Sequence, residues 1–265
     1  MDGVTNMVTA SSPEQAPDIQ GFILHHMANG KYTVPEGLPF SLPNWLSHHG
    51  LMVVFSAVLL VILLALCCRR RTEVPHGVYN LLEFYVKFIR DHIAIPHLGE
   101  ENGRALASLF CSFFMFILTM NLVGLVPCFY AATSNVNVTG ALASVTLAFM
   151  IFGAIYRQGV AGFMRGFVPH GVPWPVLIIL VPIEMLGLVI KSCALMIRLF
   201  ANMLAGHLVI FSLLGLVVTF GLWALPAVPL ALFVYLLEVM VALLQAYIFT
   251  LLSAIFIGQR LSPEH

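Results

Sequence analysis

Charged residues are scarce in this sequence of 265 residues, since Asp, Glu, Lys and Arg together make up 9% of it. A soluble domain carries about 25%, and so little polar surface cannot cover a water-soluble body. Basic and acidic residues number 12 each, so no excess of positive charge indicates nucleic-acid binding. The composition therefore predicts a single domain inside a membrane.

Patterns typical of metal sites and of catalysis are also lacking. The five cysteines are odd in number and irregularly spaced, which is typical of small buried hydrophobic residues rather than disulfides or metal ligands. The pairs His25-His26 and His48-His49 have no cysteine or carboxylate cluster beside them. No His-Glu-x-x-His, Gly-x-Ser-x-Gly or phosphate-loop motif occurs. We expect no metal, no cofactor and no bond chemistry by the chain alone.

Long apolar runs are abundant instead, with 60% hydrophobic residues and a mean hydropathy of +0.97. Three runs have the length of a conventional transmembrane helix and lie at about 48–68, 105–126 and 138–156. Two further runs, at about 176–221 and 225–257, exceed the roughly 20 residues that a perpendicular helix needs. Pro226 and Pro229 mark the turn between them, so these two runs predict a long tilted helical hairpin.

The remaining segments predict structure outside the bilayer core. Residues 73–95 carry apolar side chains at helical spacing with charged residues between them, which favours an amphipathic helix on the membrane surface. Pro96 and Gly99 are expected to end this helix. Residues 1–47 are polar and rich in proline and predict an extramembrane arm, and 261–265 predict a C-terminal tail. The predicted fold class is an all-α integral membrane protein, with 48–260 as its single membrane domain.

The distribution of basic residues predicts the orientation. Following the spans places nine of them on one side of the membrane and Lys31 on the other; the nine are Arg69, Arg70, Arg71, Lys87, Arg90, Arg104, Arg157, Arg165 and Arg260. Because cytoplasmic segments are enriched in Lys and Arg, we expect the N-terminus outside and the C-terminus in the cytoplasm.

Five ionisable residues interrupt the two long apolar runs: Glu184, Lys191, Arg198, His207 and Glu238. A charge at the centre of a bilayer costs about 2.5–3.5 kcal/mol on insertion scales. Buried ion pairs that fix the register of the helices are one interpretation. A functional path through the membrane is the other.

Spacing relates these residues to one another. Glu184, Lys191 and Arg198 are seven apart and share a helix stripe, which Asn202 extends. Glu238 and Gln245 are also seven apart. In an antiparallel hairpin, His207 can lie level with Glu238 while Arg198 lies level with Gln245, because the two rises are about 13.5 and 10.5 Å.

The residue types suit proton handling. A guanidinium stays protonated and acts as a fixed positive charge, whereas histidine and a partly buried glutamate can titrate near neutrality. Polar residues could line an aqueous path beside them: Asn121, Ser134, Asn135, Asn202 and Gln245. The pattern predicts proton transfer next to a charged partner within the membrane.

Residues 197–207, Ile-Arg-Leu-Phe-Ala-Asn-Met-Leu-Ala-Gly-His, resemble the signature of the subunit a family of F-type ATP synthases. Further matching segments lie at 120–122, 135–139, 182–184 and 244–249. The resemblance covers about 48–260. It implies a fold of three ordinary spans, one surface helix and a long tilted hairpin that wraps a ring of c subunits.

The resemblance also implies roles and partners. Arg198 matches the arginine that faces the rotor carboxylate of subunit c, and Glu184 matches an acidic position of the inner half-channel. Five residues match polar positions of the outer half-channel: Asn121, Asn202, His207, Glu238 and Gln245. The implied partners are the c-subunit ring, the b-subunit peripheral stalk, other ATP synthase subunits and membrane lipid, most simply in a bacterial inner membrane.

Two departures and two alternatives accompany the resemblance. Some members of the family have His207 and Glu238 exchanged, and Gly124 stands where some relatives have an acidic residue. A sodium-translocating version of the same subunit is the alternative within the family. A secondary transporter is a more distant one, because the inverted or parallel repeats typical of that class are not found in the sequence.

Overall fold

The computed structural model describes residues 48–68, 77–126, 129, 131–167 and 174–261. Several predicted features lie outside the described residues: the arm 1–47, the triplet Arg69 to Arg71, residues 73–76 of the surface helix, and the tail from 262 onward. All regular structure in the described ranges is helical. The predicted fold class, an all-α membrane protein, is therefore confirmed for the described residues. The chain is a multi-pass membrane protein.

Among the described residues, five helices are long and apolar enough to cross a membrane. They are α1 (His48–Cys68), α4 (Glu100–Leu125), α5 (Val136–Arg165), α6 (Trp174–Phe220) and α7 (Ala227–Leu261). Between α1 and α4 lie α2 (Val78–Phe88), a π-helical segment (Ile89–Ala94) and α3 (Ile95–Leu98). Short 3-10 segments at Ala132–Ser134 and Gly221–Ala224 precede α5 and α7.

The ends of two spans differ from the predicted positions. Helix α4 begins at Glu100 rather than near 105, and its first turn contains Glu100 and Glu101, which suits the positive end of the helix dipole. Helix α5 continues past 156 to Arg165, but Gly159 has a non-helical backbone with φ of 73°. The predicted end near 156 thus lies close to a break in the helix at Gly159, although helical structure resumes beyond it.

Pro96 does not end the segment predicted as a surface helix, so that expectation was wrong. The helical backbone continues through Pro96 to Leu98 and ends at Gly99, where φ is 79°. Pro96 lies in the first turn of α3, directly after the π-helical segment Ile89–Ala94, so a local change of helix type accompanies the proline.

The same segment is anchored to α4 by Tyr85. The Tyr85 hydroxyl donates a 2.7 Å hydrogen bond to the carbonyl oxygen of Cys111. Burial raises the pKa of Tyr85 above its ordinary value, so the hydroxyl keeps the proton that it donates. The segment is not among the five helices with the length and composition of a span.

Helices α6 and α7 form the long hairpin, with 47 and 35 residues. At 1.5 Å per residue they are about 70 and 52 Å long, well beyond a hydrocarbon core of about 30 Å. The chain reverses at Gly221–Ala224, just before Pro226, and Gly221 adopts a φ of 56°. Pro229 lies in the first turn of α7 rather than in the turn itself.

The core lies between α4 and the hairpin. Phe113 of α4 packs edge to face against Phe249 of α7, with ring centroids 5.8 Å apart. Leu195, Leu199 and Met203 form the buried face of α6, each at 1% exposure or less. Because these residues point inward, the exposed side of α6 points away from the rest of the described chain. Arg198 lies on that exposed side.

Candidate functional site

His207 and Glu238 lie next to one another across the hairpin. The Nδ1 atom of His207 is 3.2 Å from the Oε1 atom of Glu238, and the side chains are 14% and 6% exposed. Gly206 makes this approach possible, because a Cβ there would lie 2.6 Å from the Glu238 carboxyl carbon. The prediction that His207 lies level with Glu238 in the hairpin is thus confirmed.

The Glu238 carboxyl group is buried without a hydrogen-bond donor from the described residues. Neither of its oxygens receives a hydrogen bond from the residues that the structure describes. The Nδ1 atom of His207 is close to Oε1, but the geometry of this contact is not that of a hydrogen bond. A buried carboxylate without donors is costly. The imidazole of His207 is therefore the nearest polar group to this carboxyl group among the described residues.

Asn121 belongs to a second buried polar group, between α4 and the 3-10 segment before α5. The hydroxyl of Thr133 donates a 2.9 Å hydrogen bond to its Oδ1. The amide nitrogen of Asn121 is buried and has no partner among the described residues. A hydrogen-bond donor is therefore available inside the protein.

Ser134 and Asn135 have local structural roles in this region. The Ser134 hydroxyl donates to the carbonyl oxygen of Ala131 at 2.7 Å. The Asn135 side chain accepts from the backbone N–H of Asn137 and caps α5. Sequence reasoning placed both along an aqueous path, and the structure assigns them these turn and cap contacts.

Gly124 lies where backbones approach closely. A Cβ at this position would be 3.0 Å from the Cα of Ala131 and 3.5 Å from the methyl carbon of Met203. Because the first of these neighbours is backbone, it cannot swing aside. A side chain at this position would therefore require the neighbouring backbone to shift.

Arg198 and its two predicted neighbours occupy the middle of the hairpin. The Arg198 side chain is exposed and makes no hydrogen bond or ion pair within the described ranges. Asn202 is half-buried one turn further on. Gln245 is buried, and its amide nitrogen has no partner among the described residues. No hydrogen bond joins Arg198 to Gln245 in this part of the chain.

Glu184 pairs with a residue that sequence reasoning did not select. The Nη2 atom of Arg260, near the end of α7, is 3.1 Å from the Glu184 Oε1 atom. Lys191 donates a 2.9 Å hydrogen bond to the side chain of Gln259. The register that places His207 opposite Glu238 would have found this contact, because extending it along the hairpin brings Glu184 opposite the end of α7.

The predicted site residues thus form three groups along the hairpin. The pair of His207 and Glu238 lies toward the turn, Arg198 is central, and Glu184 is at the far end. No group of three or more His, Cys, Asp or Glu side chains that could hold a metal occurs among the residues that the structure describes.

The chain matches the family described as ATP synthase A chain over residues 50–258. It is similar to proteins named ATP synthase subunit a. Identity is 45% over 215 residues with that of Anaeromyxobacter dehalogenans, covering 79% of this chain and 56% of the relative. It is 46% over 198 residues with that of Chloroherpeton thalassium, covering 73% and 58%.

The relative from Myxococcus xanthus is 42% identical over 225 residues, which cover 83% of this chain and 74% of the relative. The chain spans a little over half the length of the first two relatives. The match of the family profile still extends over most of the described residues, including all three polar groups of the hairpin. The chain therefore belongs to the ATP synthase A chain family.

Proposed function

We propose that this chain is the membrane stator subunit of an F-type ATP synthase, which carries protons past a c-subunit ring and couples their flow to rotation. Arg198 is the observation that carries the proposal. It is an exposed, permanent cation in an apolar helix and has no ion-pair partner in the described part of the chain. A charge in the membrane without a partner costs about 2.5–3.5 kcal/mol. A carboxylate on another subunit would offset that cost.

The outer half-channel is proposed to lie along the turn side of the hairpin. His207 and Glu238 are 3.2 Å apart there, and both types of side chain can titrate near neutrality. Asn121, Asn202 and Gln245 are proposed to bind the water that connects this pair with the outer side and with Arg198. Two of the three have buried amide nitrogens without a partner among the described residues.

The inner half-channel is proposed to contain Glu184, at the opposite end of the hairpin. Its side chain is 36% exposed in the isolated chain, and we propose that this exposed part faces water. With the basic residues on the inner side, the N-terminus is outside and the C-terminus is in the cytoplasm. A bacterial inner membrane fits this arrangement and the bacterial origin of the relatives.

The proposed partners follow from the same arrangement. They are the c-subunit ring, the b-subunit peripheral stalk, the other ATP synthase subunits and membrane lipid. The chain would catalyse no reaction by itself, because Arg198 acts on a carboxylate that another subunit supplies.

Protons are the proposed ion. The titratable pair of His207 and Glu238 favours them over sodium, although ion choice in this family depends mainly on subunit c. A sodium-translocating version of the subunit is the second candidate.

ATP-driven proton pumping in inverted membrane vesicles tests the proposal. We expect Arg198→Ala to abolish pumping while the assembled complex is present in the parental amount. Arg104→Ala is the matched control, because Arg104 is exposed and forms an ordinary surface ion pair with Glu100, worth about 1 kcal/mol or less. Normal pumping by Arg198→Ala would refute the stator role of this arginine.

A further inference from the structure

The ion pair between Glu184 and Arg260 joins two helices at the end of the hairpin that is remote from the turn. The residues are 76 positions apart, and the joining atoms are 3.1 Å apart. The Arg260 side chain is 11% exposed, whereas that of Glu184 is 36% exposed. The cation is therefore the buried partner, and the carboxylate is the partner that faces outward.

Arg260 is held in place by groups other than Glu184. Its guanidinium carbon lies 4.5 Å from the centre of the Phe167 ring, and Phe167 is fully buried. The Gln158 side chain donates hydrogen bonds of 2.9 and 3.0 Å to the backbone carbonyls of Arg260 and Leu261. The position of the guanidinium is thus set by α5 and by the residues that follow it.

The neighbouring cation does not compete for Glu184. Lys191 donates its hydrogen bond to Gln259 and lies 5.3 Å from the centre of the Phe256 ring. On one helix stripe it is two turns from Glu184, a rise of about 10.5 Å. Arg260 is therefore the cation that contacts the Glu184 carboxylate.

A role in holding the end of α7 in place does not explain the position of the Arg260 side chain. The end of α7 is already fixed through its backbone, by the two hydrogen bonds from Gln158. The guanidinium could have remained in water, as arginine near a membrane interface commonly does. It is instead buried against an aromatic ring and directed at Glu184, a carboxylate that the described residues place at the inner end of the hairpin.

We propose that Arg260 is a positioning residue of the inner half-channel, which holds the Glu184 carboxylate in one orientation toward the cytoplasmic water. This inference rests on the proposed function. Proton transfer requires donor and acceptor within about 2.6–3.2 Å, and a half-exposed glutamate on its own samples several rotamers. Fixing its carboxylate keeps the acceptor where protons leave the rotor.

A double-mutant comparison in inverted vesicles tests this inference, because there the inner side of the membrane faces the bath. We expect Arg260→Gln to lower ATP-driven pumping about fivefold, the factor that about 1 kcal/mol in an activation barrier produces. Glu184→Gln should lower it at least as much. The double variant should pump no more slowly than Glu184→Gln alone, and Arg260→Lys should keep more than half of the parental rate.

The other outcomes overturn the inference. They are unchanged pumping in Arg260→Gln, unchanged pumping in Glu184→Gln, or a further loss when the two changes are combined. Arg260→Met, which keeps an apolar stem over Phe167, serves as the second variant. If Arg260→Gln and Arg260→Met both fail to assemble, the side chain serves the fold and the inference is wrong. Normal pumping by Arg198→Ala in the same series would instead reject the proposed function itself.

Discussion

Glu238 reaches His207 because the residue before the histidine has no side chain. A Cβ on Gly206 would lie 2.6 Å from the carboxyl carbon of Glu238 and 3.2 Å from its Cγ, with the Oε1 atom closer still. The close pair thus depends on three positions rather than two. A carboxylate that is 6% exposed has little room to move elsewhere.

Gly206→Ala tests this dependence. We expect the added methyl group to displace the Glu238 carboxyl group from His207 and to lower ATP-driven proton pumping about tenfold, with a packing cost of about 1–3 kcal/mol. Gly187→Ala on the same helix is the matched control, because nothing lies within 4 Å of a Cβ there and alanine favours helix by about 1 kcal/mol. Equal pumping by the two variants would contradict the role of Gly206.

The sequence predicts part of the site at this scale. Spacing alone places His207 beside Glu238, because the helix period and an antiparallel turn determine which residues can meet. The same register brings Glu184 opposite the end of α7, but nothing in the sequence selects Arg260, since it follows the apolar run and resembles any basic residue at the end of a span. Nor does it distinguish Ser134 and Asn135, whose polar atoms serve a turn and a helix cap, from residues that line a path.

At the scale of elements, apolar length is well predicted and local breaks are not. The predicted run 138–156 ends where Arg157 and Gln158 interrupt the hydropathy, whereas the helix Val136–Arg165 continues beyond them and is broken at Gly159. Pro96 was expected to end a helix but occupies a first turn. In both cases a single backbone conformation decides the boundary, and composition averaged over a window does not contain it.

Helices α3 and α7 approach so closely that a glycine is required between them. A Cβ on Gly258 would lie 2.9 Å from the backbone carbonyl carbon of His97, and its oxygen is nearer. Backbone atoms cannot rotate out of the way, so a side chain there must separate the two helices. The segment predicted to lie on the membrane surface is therefore packed against the end of the hairpin.

We expect Gly258→Ala to destabilise this packing by about 1–3 kcal/mol and to lower the melting temperature of the detergent-solubilised complex. Gly153→Ala provides the comparison, because its Cβ would meet the Cδ2 atom of Leu261 at 3.6 Å, an ordinary contact. If Gly258→Ala melts at the temperature of Gly153→Ala, the close approach of α3 and α7 is not a constraint in solution.

For the whole molecule, α6 and α1 are the long helices that the rest of the described chain covers least. In their apolar parts 11% and 6% of the residues are buried inside the chain, compared with 39% in α4. Small exposed residues surround Arg198 on the same face, namely Ala194, Ala201 and Ala205. Small side chains allow a partner helix to approach closely in a membrane, so this face suits a helical partner that brings a carboxylate to Arg198.

Ala201→Leu tests whether this face contacts a partner helix, without changing the packing inside the chain. Ala201 is exposed and one turn from Arg198, so a larger side chain disturbs nothing inside the chain but holds a partner helix further away. Since charge attraction inside a membrane weakens with distance, coupled pumping should fall about tenfold while the subunit accumulates normally. Ala161→Leu, at an exposed position on α5, should pump like the parent. Parental pumping by Ala201→Leu would mean that this face contacts lipid, and the rotor would have to meet Arg198 from another direction.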